Sequence, residues 1–149
     1  MAQILILVGT ETGNSQMVAE CLEEDFQKAG HEVEVVDDGS TDAADIAARE
    51  IVLVCTSTYG MGEFPMNFQA VYDSLDDTKP DLSALRYGVI ALGDQTYQDT
   101  FCDAGKNIDK LLRELGGQRI GERLEIDACT QPLPDDEAQK WAAEWVTLL

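Results

Sequence analysis

Three short apolar runs, Ile4–Val8, Ile51–Val54 and Val89–Leu92, constrain this chain more than any other feature, because each is followed by a polar loop and then by a stretch of helical periodicity. Unbroken apolar strands are what a parallel sheet demands when helices cover both its faces. The helical stretches are marked by Val18, Cys21, Leu22 and Phe26; by Phe68, Val71, Tyr72 and Leu75; by Ile108, Leu111, Leu112 and Leu115; and by Ala138, Trp141, Ala142 and Trp145. The last three sets keep an i, i+3, i+4, i+7 spacing, and the first departs from it only at Phe26. A further short helix is expected over 42–48, and strands over 3–9, 32–37, 51–57, 86–93 and 119–127. Strict alternation of strand and helix predicts a three-layer, doubly wound α/β domain with a five-stranded parallel sheet.

Strand order follows from the same polarity argument. Glu32-Val33-Glu34-Val35 and Arg123-Leu124-Glu125-Ile126 alternate polar with apolar, as edge strands do, so the second and fifth strands belong at the edges. With right-handed crossovers the economical order is 2-1-3-4-5. A ligand is then expected beyond the carboxyl ends of the first and third strands, where the winding reverses.

A chain of 149 residues, 44% of them hydrophobic, suits a single domain over 1–149. Its start, Met1-Ala2-Gln3, leads into a strand without a basic leader, and no apolar run approaches the roughly 20 residues that span a bilayer, so a cytoplasmic protein is expected. Cys21, Cys55, Cys102 and Cys129 form no CxxC pair and have no histidine nearby, which argues against zinc and for free thiols. The charge is unusual, with 29 acidic against 10 basic residues and a net −19. Such a surface repels nucleic acid and anionic membranes and steers in a partner with a basic face; solubility alone is the plainer explanation.

Three loops leave the carboxyl ends of the central strands. The first, Thr10-Glu11-Thr12-Gly13-Asn14-Ser15, crowds hydroxyls, an amide and a glycine into a strand-to-helix turn without a lysine. Backbone N–H groups at a helix start, helped by hydroxyls, can hold a phosphate dianion. The spacing and lysine of the triphosphate loop are missing, so a monophosphate fits better; simple helix capping by Thr12 or Asn14 is the alternative. The second loop runs Thr56-Ser57-Thr58-Tyr59-Gly60-Met61-Gly62-Glu63, and the third Gly93-Asp94-Gln95-Thr96-Tyr97. Each sets one tyrosine among small or polar residues, as suits two aromatic plates on either side of a flat ring. No Lys or Arg occurs before Lys28, between Arg49 and Lys79 or between Arg86 and Lys106, so none of the loops supplies a cation. A ring whose reduced form is anionic is destabilised there, which makes it a strong reductant.

These three runs, the last extended back to Ala91-Leu92, resemble the FMN loops of flavodoxins, and the resemblance spans essentially the whole chain. In detail the chain is similar to the FMN domains of diflavin reductases such as the sulfite reductase flavoprotein, and to free-standing bacterial flavodoxins of the MioC type. The 2-1-3-4-5 order with FMN at the switch point is the general rule for that fold. The resemblance implies that FMN is the cofactor. Its phosphate would lie against Thr10, Thr12, Gly13, Asn14 and Ser15, with Glu11 in the same cofactor-binding loop, and Thr56, Ser57 and Thr58 would begin the second wall. Tyr59 and Tyr97 would flank the isoalloxazine, and Gly60 would turn its carbonyl toward flavin N5. Leu92, Gly93 and Asp94 would meet the pyrimidine edge, with Phe101 and Cys102 closing the far rim. Asp94 stands where the diflavin relatives often carry Asn. The long insertion of the larger flavodoxins is missing from the fifth strand, which marks a short-chain member.

The implied function is single-electron transfer from a donor like flavodoxin/ferredoxin NADP reductase to an acceptor enzyme with a basic docking surface. A monomer is expected, with no catalytic or metal-binding residues of its own. The alternative, an FMN-dependent NAD(P)H quinone or nitro reductase, wants an open flavin face that two stacking tyrosines obstruct. A phosphorylatable receiver needs an acceptor Asp at the end of the third strand, where Cys55-Thr56-Ser57 stands. His31 follows Gly30 where the first helix should end and reads as a cap-region residue, while Trp141 and Trp145 read as packing. A stacked Tyr97 favours the oxidised ring over the anionic reduced one. Tyr97→Ala is therefore expected to raise the second one-electron potential, by about 59 mV for each ~1.4 kcal/mol of destabilisation removed. A redox titration followed by visible absorbance measures this, and an unchanged or lower potential with FMN still bound would take Tyr97 out of the stacking role.

Overall fold

The computed structural model describes residues 3–9, 14–37, 41–57, 66–93, 102–127 and 133–149. Strands β1 (Gln3–Gly9), β2 (Glu32–Val36), β3 (Ile51–Ser57) and β4 (Arg86–Gly93) alternate with helices α1 (Asn14–Lys28), α2 (Ala43–Ala47), α3 (Met66–Thr78) and α4 (Asp103–Glu114). Two short strands follow, β5 (Gln118–Arg119) and β6 (Leu124–Asp127), then α5 (Pro134–Trp145) and a closing 3₁₀ turn. All pairings are parallel and the order is β2-β1-β3-β4-β5, as the polarity argument predicts, with β6 pairing β4 beyond β5.

Period-two alternation divides the central strands between two cores. Ile4, Ile6, Val8, Ile51, Leu53, Cys55, Ile90 and Leu92 face α1 and α5, where they meet Val18, Leu22, Phe26, Ala138 and Trp145. Leu5, Leu7, Val52, Val54, Tyr87 and Val89 face the other side and pack on Phe68, Leu75, Ile108 and Leu112 of α3 and α4. Trp145 is buried; its indole N–H donates to the Ile120 carbonyl at 3.1 Å, and its ring lies 5.8 Å from Phe26. Trp141 stacks on Trp145 at 5.5 Å and is only partly buried. Helix α1 ends as its sequence suggests. Gly30 takes φ +92°, its N–H reaches the Gln27 carbonyl, and the His31 N–H reaches that of Phe26. This is the paired C-cap that a left-handed residue permits.

The fifth strand departs from the expected single run over 119–127. β5 pairs with Arg86 and Tyr87, β6 pairs with Ile90 to Gly93, and the chain between them leaves the ladder. Gly121 sits there at φ +69°, a conformation that ends strand geometry and suits glycine. The detour brings Arg119 and Arg123 against one carboxylate. Asp109, on α4 and 1% exposed, accepts from both guanidiniums at 2.6 Å through Oδ2, and from the Tyr87 hydroxyl at 2.7 Å through Oδ1. Burial pushes the Asp109 carboxyl up, but the hydrogen bonds from Tyr87, Arg119 and Arg123 outweigh it and hold it below its ordinary range. The same burial, with the Asp109 contact, raises the Tyr87 hydroxyl.

Because the folded pKa is depressed, this cluster stabilises the fold above the ordinary carboxylate pKa, and its contribution fades as pH falls through the folded value. Asp109→Asn removes one member of a buried charge cluster and is expected to cost about 3 kcal/mol at neutral pH. The deficit should narrow as pH falls below the ordinary carboxylate value of about 4 and close only at the lower folded value, where the wild-type carboxyl itself becomes protonated. Urea unfolding at neutral and acidic pH checks both, and a pH-independent deficit would count against the charged cluster.

Candidate functional site

Register decides which loops can meet. Gly9 pairs with Thr56, Thr56 with Ala91, and Ser57 with Leu92, so β1, β3 and β4 end at neighbouring positions along one side of the sheet. Helix α1 starts at Asn14 on one face of that side, and α4 starts at Asp103 on the other. Segments 10–13, 58–65 and 94–101 leave from these ends. The expected contacts at Thr10, Glu11, Thr12, Gly13, Thr58, Tyr59, Gly60, Asp94, Tyr97 and Phe101 lie outside the described residues, as do the side chains of Asn14 and Ser57.

The described site residues are Ser15, Thr56, Leu92, Gly93 and Cys102. Ser15 lies in the first turn of α1, fully buried, and its Oγ has no hydrogen-bond partner among the described residues. A buried hydroxyl left without a partner costs about 1–3 kcal/mol, so an acceptor supplied from outside the chain relieves a real penalty. Its carbonyl is engaged separately, accepting the Cys55 thiol at 3.6 Å across to β3. An orphaned hydroxyl at a helix start that follows a Thr/Gly/Asn loop fits an anionic phosphate oxygen.

Gly9 supplies a second fit. A Cβ built there would stand 2.6 Å from Thr56 Oγ1 and 2.8 Å from Phe68 Cβ, so only glycine lets β1, β3 and α3 close up where the chain leaves the sheet. Thr56 is fully buried in that junction. Leu92 is 7% exposed and Gly93 is half-buried, so the end of β4 surfaces at Gly93.

Cys102 precedes α4 in a left-handed conformation, φ 55° and ψ 23°, and is fully buried. Its thiol donates to the Ala91 carbonyl at 3.4 Å, and burial pushes its pKa up to about 12. Burial likewise pushes Cys55 up to about 12. Neither thiol is therefore a thiolate near neutral pH. Cys102 ties the start of α4 to β4 from beneath, a role that the sequence, which suggests a rim residue, does not disclose.

Among the described residues no helix is long and apolar enough to cross a membrane, and no group of three or more His, Cys, Asp or Glu side chains is arranged to hold a metal ion.

Comparison with known proteins agrees with this geometry. A family model described as flavodoxin matches residues 6–141. Protein MioC of Escherichia coli is 38% identical over 149 residues, covering 100% of this chain and 99% of its own. The sulfite reductase (NADPH) flavoprotein alpha-component of Vibrio cholerae is 36% identical over 148 residues, which are 99% of this chain and 23% of that protein. Among solved structures, a cysteine-to-alanine mutant of flavodoxin from Pseudomonas aeruginosa superposes with a TM-score of 0.89 at 34% identity, covering 99% of this chain and 98% of the other.

The phosphate contact expected at Ser15 predicts a selective loss. Ser15→Ala should weaken FMN by the roughly 1.5–3 kcal/mol of one charge-assisted hydrogen bond and leave riboflavin, which lacks the phosphate, nearly unaffected. Flavin fluorescence titration of the apoprotein with both ligands checks it, and equal losses would move the phosphate elsewhere.

Proposed function

Because the chain belongs to the flavodoxin family, we propose that its FMN-based electron transfer links a reductase resembling flavodoxin/ferredoxin NADP reductase to an acceptor enzyme with a basic docking face. The observation that supports this most directly is the unpartnered, buried Ser15 Oγ at the start of α1, beside the registered ends of β1 and β3. FMN, when bound, supplies reversible one-electron chemistry.

The chain's own contribution is binding and environment. Thr10, Thr12, Gly13, Asn14 and Ser15 hold the phosphate through hydroxyls and backbone N–H groups without a cation, so affinity rests on directed hydrogen bonds. Glu11, in the same turn, adds negative charge. Thr56, Ser57 and Thr58 carry the chain from the buried end of β3 to Tyr59, and Leu92, Gly93 and Asp94 carry it from β4 toward Tyr97. The two tyrosines exclude water from the ring faces, and Gly60 offers a carbonyl able to turn toward N5. Phe101 closes the far rim, and Cys102 anchors the start of α4 behind it through its bond to the Ala91 carbonyl. The surrounding acids disfavour added negative charge, which keeps the carrier strongly reducing.

Direct NAD(P)H oxidation is not part of this proposal; the protein acts as a cytoplasmic monomer and receives electrons one at a time. The FMN-loaded protein alone should turn over NADPH negligibly, and rapidly once a reductase is added. With the reductase present, the second-order rate should fall roughly tenfold or more as salt rises, and Glu63→Lys should slow it at low salt. Stopped-flow absorbance measures both. NADPH turnover without a partner, or a rate indifferent to salt, would defeat the corresponding half of the proposal.

A further inference from the structure

Five of the ten Lys and Arg residues of this acidic chain fall between positions 106 and 123. Lys106, Lys110 and Arg113 recur at i, i+4 and i+7, so they share one face of α4. Arg123, from the detour between β5 and β6, converges on the same place. Together with Asp109 and Glu114 these residues line a cavity of about 420 Å³, within the size range of ligand pockets. Its lining holds four cations against two carboxylates.

Of the two carboxylates, Asp109 is committed. Asp109 Oδ2 is bracketed by Arg119 and Arg123 at 2.6 Å, and its Oδ1 takes the Tyr87 hydroxyl. Glu114 reaches Lys110 only at 4.0 Å, both side chains being exposed. Arg113 makes no ion pair among the described residues. Arg123 is held in place by Asp109 and by Glu125, at 2.9 Å. The result is a preorganised concave surface of positive charge on a molecule of net −19.

We propose that this pocket binds a compact phosphoanion, the phosphoryl groups of pyrophosphate or of a nucleotide. No aromatic or large apolar side chain lines it, so it offers a base or a flavin ring nothing to stack on. The planar guanidinium of Arg113 suits two phosphoryl oxygens at once, and the lysines add point charges. Size distinguishes a small anion from an acidic protein. At physiological salt the field of distant charges dies away over about 8 Å, so a small ion in the pocket feels chiefly its own lining, where four cations outnumber two carboxylates. An acidic protein of ordinary size meets the negative surface around it as well.

The site stands apart from the proposed FMN cradle, which lies at the other helix layer's start, and does not depend on it. Isothermal titration calorimetry on the FMN-loaded protein tests it, with inorganic pyrophosphate and ADP as separate titrants. One-to-one binding is expected. Lys110→Gln with Arg113→Gln, both at exposed positions that spare the fold, should weaken it about tenfold or more, and Ser15→Ala should leave it unchanged. Equal affinity for the two titrants, or tighter pyrophosphate, would assign recognition to the phosphoryl groups, whereas markedly tighter ADP binding would require contacts to the nucleoside and overturn the phosphoryl assignment. No measurable heat with either titrant, an affinity untouched by the double substitution, or one lost with Ser15→Ala would overturn the proposal.

Discussion

The parallel pairing of β1 with β3 is the contact on which the rest of the molecule depends. From β1 the chain winds outward through α1 to β2, then crosses back past β1 and lays β3 on the other side. Right-handed crossovers put α1 on one face and α2, α3 and α4 on the other. The helices flanking β1 and β3 therefore lie on opposite faces at the carboxyl end of the sheet, the point where a fold of this order receives its ligand. Gly9 shows how tightly the rest is drawn in, since even a methyl group there would strike Thr56 and Phe68.

Most of this architecture is legible in the residues. The runs in β1, β3 and β4 are buried along nearly their whole length, and period-two alternation sends successive side chains to opposite cores, so sequence polarity and strand order carry the same information. The fifth strand is where reading by pattern fails. Arg123-Leu124-Glu125-Ile126 does alternate, yet the ladder breaks upstream of it at Gly121, and two arginines flanking the break turn inward to Asp109. Nothing local announces that turn. Asp109 falls among the apolar positions Ile108, Leu111 and Leu112, where periodicity would place a polar residue outward, and its partners lie 10, 14 and 22 positions away. A buried charge is acceptable only when topology supplies its counter-ions, and topology is what a pattern of single residues does not contain. The candidate site divides similarly: its loops stand out by composition and position, but the unpartnered state of Ser15 Oγ and the inward turn of the Cys102 thiol emerge only in three dimensions.

Charge is distributed as unevenly as the cores are even. The loops that follow β1, β3 and β4 contain no Lys or Arg, while half of the chain's cations gather on and beside α4. A protein of this size with so much negative charge works against its own compactness through self-repulsion. The Asp109 cluster offsets part of that at the point where α4, β4 and the broken fifth strand meet, turning a local excess of acid and base into directed bonds.

The break in the fifth strand also bears on how the molecule behaves in a crowded solution. Every open sheet ends in two rows of unsatisfied backbone groups that can recruit a strand from another copy, and long, flat edges are the hazardous ones. Here one edge is a five-residue strand carrying exposed Glu32 and Glu34, with Glu34 clasped by Arg49 at 2.7 Å. The opposite edge is interrupted after two residues and resumes only at Leu124. Neither offers an incoming chain a continuous apolar ladder, so the fold carries its own guard against edge-to-edge aggregation, and the guard on one side is made by the same detour that buries Asp109.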